Sequence, residues 1–455
     1  IKKEGAAYDL PLAIGMLAAE EEVNTQCLEQ YLIMGELSLD GSLQPIQGVL
    51  PMALAARKAG FKGIILPAQN AREAAVVQQI EVYGLANIQE VIRFLNGTQV
   101  FEPVHVDTDA EFRMHAFSTD LDFSDVRGQE NVRRAMEVAA AGGHNMLMVG
   151  PPGAGKSMMA KRLPSILPPL TLEEALETTK IYSVAGMMSR RKENNGMASA
   201  LIVQRPFRSP HHTVTDVALV GGGSNPQPGE ISLAHNGVLF LDELPEYKRT
   251  ALEVLRQPLE DRRICITRAK HNVEYPAGFM LVAAMNPCPC GHYGENNSAH
   301  PCTCTPAQIH RYMSRISGPL LDRIDIQCDI QPVPYTLLKE EQPSESSAAI
   351  RERVMRARAI QQLRFAEYNQ TATTPIHCNA QMTPKLVRIY CPLDAQGDKL
   401  LAYSMEKLGL SARAYDRILK VARTIADLAE SKTIAASHLM EAISYRNLDR
   451  SDWLG

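Results

Sequence analysis

The chain has 455 residues, of which 45% are hydrophobic and 22% charged, which fits a soluble globular protein with room for two or three domains. Its 47 basic and 51 acidic side chains leave a formal net charge of −4, so overall charge excludes global attraction to nucleic acid and any such contact needs a local basic surface. Aromatic content of 5% with one Trp disfavours base stacking relative to backbone contacts. No apolar run reaches the length of a membrane span and no signal sequence is visible, so the cytoplasm is the expected compartment. The first residue is Ile1, and what precedes it is open.

In chain order, residues from Ile1 to about Gly97 alternate short apolar strands with helical patterns. Tyr31–Leu39 and Gly63–Pro67 predict strands, and Val49–Lys58 predicts a helix. A polar connector runs from about Thr98 to Ser118. From Asp122 the order becomes helix, strand, Gly-rich loop, helix, as in an α/β nucleotide-binding core. Asn145–Val149 feeds the loop; Val238–Leu241 and Met280–Met285 are short uninterrupted apolar runs, as buried parallel strands tend to be. Past Pro334 the strands stop, and Ser346–Tyr368, Lys399–Leu408, Ala412–Glu430 and Ala436–Tyr445 predict an all-helical lid.

The loop Gly150-Pro151-Pro152-Gly153-Ala154-Gly155-Lys156-Ser157 matches G-x-x-x-x-G-K-[ST]. Such a turn points backbone N–H groups at phosphates, and the following helix start adds a favourable dipole. Lys156 would pair with the β/γ-phosphates of ATP and the Ser157 hydroxyl would hold Mg²⁺. Asp242, closing the apolar run Val238–Leu241, suits the same Mg²⁺, and Glu243 beside it is placed to orient or deprotonate water. Asn286 directly follows the run Met280–Met285 and fits a group that senses the γ-phosphate; alone, before Pro287, it reads as a turn residue. Arg323 alone reads as a surface ion pair within Asp322-Arg323-Ile324-Asp325, and Arg413 alone as a solvated helix residue.

Four of the nine cysteines fall in one stretch, Cys288-Pro-Cys290 and Cys302-Thr-Cys304. Four thiolates match tetrahedral structural Zn²⁺, with His292 and His300 as substitute ligands. Free thiols or a redox-sensitive disulfide are the alternatives, the latter disfavoured in the cytosol.

The segments Arg205-Pro-Phe-Arg-Ser-Pro-His211-His212-Thr213, Gly221-Gly-Gly and Pro228-Gly-Glu-Ile-Ser-Leu-Ala-His-Asn-Gly-Val-Leu-Phe-Leu-Asp242-Glu243 resemble the magnesium-chelatase-like AAA+ ATPases, and among them the ComM/YifB group. The resemblance covers nearly the whole chain. It implies an ATP hydrolase working as a homo-hexameric ring, and for ComM-type members a DNA helicase that promotes branch migration during natural transformation. It also implies that Arg323 is an arginine finger reaching a neighbour's ATP and Arg413 the lid's sensor arginine. An insertion would span about Gly186–His235 and a β-hairpin about Arg262–Ala277. In related rings such hairpins line the pore, which makes Arg268, Lys270 and His271 near the tip the DNA-contact candidates; a solvated charged hairpin is the other reading.

The first part resembles the proteolytic domain of Lon through Gly35-Glu-Leu-Ser-Leu-Asp-Gly41, Pro45-Ile-Gln-Gly48 and Leu54-Ala-Ala-Arg-Lys-Ala-Gly60. That alignment puts Ala7 at the Ser nucleophile, and Gln47–Met52, where the Lys base falls, contains no Lys. The expected architecture is therefore α/β: a Lon-protease-like α+β domain without catalysis over residues 1–105, an AAA+ P-loop core with parallel sheet over 106–333, and a helical lid over 334–455. Three functions compete: a ring helicase moving DNA, a metal-chelatase-type motor remodelling proteins, and an ATP-dependent protease. The missing Ser and Lys oppose the third, and the Lon-like part opposes the second.

Overall fold

The computed structural model describes residues 6–115, 121–188, 200–223, 226–267, 272–294, 301–334 and 344–446. The chain forms two compact units, one from Ile1–Ser118 with Pro169–Gln204 and the other from Thr119–Pro168 with Arg205–Gly455. The units follow shared apolar cores. Leu201 and Val203 share one apolar cluster with Val49 and Leu50, so Pro169–Gln204 belongs with the first unit. Ile350, Val354, Phe365 and Leu419 share another with Met146, Met148 and Phe240, so the helices past residue 334 complete the core of the second.

In the first unit, strands β1 (Tyr31–Ile33), β2 (Gly63–Pro67) and β3 (Glu81–Leu85) form a parallel sheet with β2 central and wholly buried. The run Tyr31–Leu39 is not one strand. Gly35 donates its N–H to Ala7 O and accepts from Leu10 N, which takes its backbone out of the ladder. Glu36–Leu37 then pairs antiparallel with Leu43–Gln44 instead. The helix Val49–Ala59 forms as expected and buries Val49, Leu50, Ala53 and Ala56, a spacing that keeps one stripe inside. A helix not foreseen, Leu172–Val184, starts with a capping box in which Thr171 and Glu174 satisfy each other's backbone N–H. Its last turn lies on the residues where a Lon-type Lys would fall: Gly48 N donates to Ser183 O at 3.0 Å and Leu50 N to Ser183 Oγ at 3.4 Å, and Leu50 N also reaches Glu73 Oε1 of another helix at 3.1 Å. Burial pushes the Glu73 carboxyl above its usual range against the hydrogen bond from Ser183.

In the second unit, β4 (Met146–Val149), β5 (Phe207–Arg208), β6 (Val238–Leu241), β9 (Met280–Met285) and β10 (Ile326–Asp329) make a parallel sheet in the order β10-β4-β9-β6-β5. Between β6 and β9, β7 (Arg263–Thr267) and β8 (Asn272–Pro276) form the expected antiparallel hairpin. Alternate residues of the central strands enter two different cores: Met146, Met148, Phe240 and Val282 on one face, Leu147, Leu239, Leu241 and Ala283 on the other. Burial on both faces explains why these strands read as unbroken apolar runs. The C-terminal helices are Ser347–Thr371, Pro384–Tyr390, Ala395–Leu408, Ala412–Leu428 and Ala436–Ser444. The third begins at Ala395 because the Asp394 side chain accepts from Gly397 N and caps the turn ahead of Lys399. Asp427, fully buried, is held by Arg364, Arg423 and Asn379.

Candidate functional site

The site forms where β4, β9 and β6 end side by side. Met285 pairs with Val149 and Gly150 N donates to Met285 O, so Gly150 and Asn286 leave adjacent strands at one level, with Asp242 following β6. Gly150 must lack a side chain, since a Cβ there would lie 2.3 Å from Ile330 O. Gly153 and Gly155, at φ of 77° and 90°, turn the loop into the helix that starts at Lys156.

Lys156 is buried, and its ammonium donates to Gly150 O, to Pro151 O at 2.9 Å and to Asn286 Oδ1 at 3.0 Å. Burial lowers its pKa, while the carboxylates of Asp242 and Glu243 act in the opposite sense. Ser157 Oγ donates to Asp242 Oδ2 at 2.5 Å, and Asp242 Oδ1 accepts from Glu243 N at 3.0 Å. A hydroxyl and a carboxylate so close are two oxygen donors converging on one point, which suits a hard divalent cation such as Mg²⁺.

Glu243 is exposed and sits at φ 52°, a left-handed conformation that costs a non-Gly residue about 1–3 kcal/mol and gathers at functional sites. Its Oε2 lies 3.1 Å from His212 Nδ1. The His212 ring in turn lies on His211, with centroids 4.0 Å apart, and meets the edge of Tyr247. Tyr247 donates its hydroxyl to Pro210 O at 2.6 Å, and its pKa is raised by burial and then by the charges of Asp242 and Glu243. Sequence reasoning did not assign His212 to the site. The available signal was a Pro-His-His-Thr turn following a short strand, but nothing in the sequence says that this strand pairs with β6.

The structure thus brings together Lys156, Ser157, Asp242, Glu243 and Asn286. Arg323 is held elsewhere and is no surface ion pair: only 6% exposed, it pairs with Glu260 at 2.5 Å and donates to Pro319 O and Arg256 O. Its neighbour Asp325 is also buried and takes Arg417 and His144 instead. Arg413 is exposed in the first turn of Ala412–Leu428. The proposed DNA-contact residues Arg268, Lys270 and His271 lie outside the described residues. On the hairpin arms that lead to them, Ile264 and Ile266 point inward while Arg263 faces outward and pairs with Glu274 at 3.0 Å.

The four cysteines meet as expected. The Sγ atoms of Cys288, Cys290, Cys302 and Cys304 all lie within 4.8 Å of one another, with separations of 3.3, 3.7 and 3.6 Å among the first three. A tetrahedron with Zn–S bonds of about 2.3 Å has edges of about 3.8 Å, so the donor set fits zinc. The separations are far above the ~2.05 Å of a disulfide. Against loss of solvent, backbone N–H groups of His292 and Thr303 pull the Cys290 thiol down to about 5; loss of solvent and neighbouring thiols push Cys302 up to about 12. His300 lies outside the described residues.

In the first unit, Ala7 packs against the apolar cluster where a Lon-type Ser would be, and the Gln47 side chain is covered by Gly186. Neither position offers a nucleophile or a base.

Three family models match the chain: magnesium chelatase, subunit ChlI, over residues 122–338; its C-terminal part over 344–446; and subunit ChlI of Mg-chelatase over 1–70. An uncharacterized Escherichia coli protein, YifB, is 44% identical over 452 residues, covering 99% of this chain and 84% of the relative. Competence protein ComM of Haemophilus influenzae is 43% identical over 453 residues, with the same coverage of 99% and 84%. Lon protease 2 of Bacillus subtilis is 28% identical over 194 residues, 37% of this chain and 33% of that protease. The α/β fold accordingly joins an AAA+ P-loop core and a helical C-terminal region to a Lon-protease-like part. The chain belongs to the ComM/YifB-type magnesium-chelatase-like proteins.

Proposed function

We propose that this protein is an ATP hydrolase of the AAA+ class that works in the cytoplasm as a homo-hexameric ring and moves DNA, promoting branch migration during the uptake and recombination of DNA. The observation that carries the ATPase reading is the convergence of Lys156, Ser157, Asp242, Glu243 and Asn286 at the ends of three adjacent strands. The DNA reading is supported by 43% identity to a protein named for competence.

In this reading Lys156 exchanges its carbonyl partners for the β/γ-phosphates of ATP, guided by the backbone N–H groups of the loop. Ser157 and Asp242 hold Mg²⁺, which neutralises phosphate charge when bound. Glu243 accepts a proton from the attacking water, and Asn286, freed from Lys156, orients that water or the γ-phosphate. Arg413 serves as the lid's sensor arginine. Arg323 serves as a finger in a neighbour's site, which requires it to leave Glu260 on ring assembly. Arg268, Lys270 and His271 contact the DNA backbone. Zn²⁺ on Cys288, Cys290, Cys302 and Cys304 folds the loop after Asn286, and the Lon-like domain, without nucleophile or base, serves assembly.

Branch migration and strand displacement on three-stranded and forked DNA test this reading. ATP-dependent remodelling is expected for the wild type, none for Lys156→Ala or Glu243→Gln, and weakened remodelling for Lys270→Ala. An ATPase that DNA does not stimulate even at low salt would favour a motor that remodels protein partners.

A further inference from the structure

Both ends of the cysteine stretch are fastened to the nucleotide site. At its start, one residue separates Asn286, whose Oδ1 takes the Lys156 ammonium at 3.0 Å, from the fully buried Cys288. At its end, the helix Pro306–Met313 begins two residues after Cys304, with Thr305 and Gln308 closing a capping box. The hydroxyl of Tyr312 on that helix lies near the backbone of Asn286, which lowers its pKa against the larger effect of burial. Tyr312 is itself buried. The stretch therefore leaves Asn286 and returns to it.

A third attachment falls on the phosphate loop itself. Gly291 N donates to Cys288 O at 3.0 Å, closing a turn inside the cluster, and Gly291 adopts φ 91°. A Cβ at Gly291 would stand 2.6 and 2.8 Å from the Cδ and Cγ atoms of Pro152, so the turn lies directly on the loop's proline ring. Pro152 is one of the residues whose path aims the loop's N–H groups. The sulfur tetrahedron, Asn286 and the phosphate loop are thus three corners of one packed corner of the unit.

We propose that the cysteine cluster is a control element of the nucleotide site: zinc held by Cys288, Cys290, Cys302 and Cys304 fixes Asn286 and Pro152 in their binding positions, and release of zinc weakens nucleotide binding. This rests on reading the Gly150–Ser157 loop as the ATP site. Zinc bound by four thiolates draws four points of the chain together, and the turn at Gly291 is rigid only while Cys288 and Cys290 are held. When the sulfurs part, the turn no longer backs Pro152, and Asn286 loses the constraint on its following residues.

The test is made on the full chain, with zinc content and the dissociation constant of a fluorescent ADP analogue measured before and after chelation, and again after Zn²⁺ is restored. The expected result is one zinc per chain and an affinity that falls about tenfold on chelation and returns with zinc. Because the chelated chain can unfold more widely, Gly291→Ala provides a second arm: it keeps all four thiols, so it should keep its zinc yet bind the analogue about tenfold more weakly, because overpacking against Pro152 and the strain of a side chain at φ 91° both shift the turn. Unchanged affinity in Gly291→Ala, unchanged affinity in a folded zinc-free chain, or a chain that takes up no zinc would each overturn the proposal. If the zinc-loaded wild type fails to bind the analogue at all, the ATP-site reading itself is at fault.

Discussion

Lys156 and Glu243 differ in how much of their role their surroundings prepare. Lys156 already spends its donors on two loop carbonyls and Asn286, so its loss removes both a phosphate partner and a tie within the loop. Glu243 makes few structural contacts beyond His212 and is exposed. Lys156→Ala should therefore abolish binding of a fluorescent nucleotide. Glu243→Gln should bind it as well as wild type while phosphate release slows by a factor of about 10²–10⁴. His144 gives a pH prediction of another kind. It is fully buried, Nε2 pairs with Thr424 Oγ1 at 2.8 Å, and burial lowers its pKa despite Asp325 at 3.5 Å. A base whose folded pKa lies below its unfolded value, about 6.5, leaves stability intact above that value and erodes it as pH falls below. The Tm should drop between pH 7 and 5.5, and by less in His144→Asn. At this scale the motif residues were legible because phosphate and Mg²⁺ chemistry demands their types at fixed spacings. The enclosure of Arg323 by Glu260, and the pairing of His212 with Glu243, were not: both depend on which segments become neighbours, which spacing along the chain does not reveal.

Whole elements followed their sequence patterns wherever a single face or both faces are buried. Strands β4, β6 and β9 and the helix Val49–Ala59 are the clear cases. The run Tyr31–Leu39 failed because Gly35 gives its N–H and carbonyl to the segment Ala7–Leu10, a long-range choice that local alternation cannot show. The helix Leu172–Val184 is marked in the sequence by Thr171 and Glu174 in capping-box spacing. The helical region also has a charged centre that patterning hides. Asp427 lies among Arg364, Arg423 and Asn379 with no exposure. Asp427→Ala leaves two cations without their carboxylate and should destabilise the second unit by about 3–5 kcal/mol, measured by urea unfolding.

For the molecule as a whole, the proposed ring makes a prediction that no single chain can satisfy. Arg323→Ala and Lys156→Ala chains, each inactive alone, should regain part of their ATPase activity when mixed, because an intact loop in one then meets an intact finger in the other. Strict inactivity of the mixture would place Arg323 in a structural role through Glu260. The two-unit division also bears on how the protein is made. Since Pro169–Gln204 supplies Leu201 and Val203 to the core that also holds Val49 and Leu50, the first unit is not encoded by one continuous stretch. A fragment ending at Ser118 should expose apolar surface and aggregate, whereas the same fragment joined by a short linker to Pro169–Gln204 should stay monomeric in size-exclusion chromatography. On the ribosome, the first unit must then wait with its core open until residue 204 has emerged, by which time the phosphate loop is already outside.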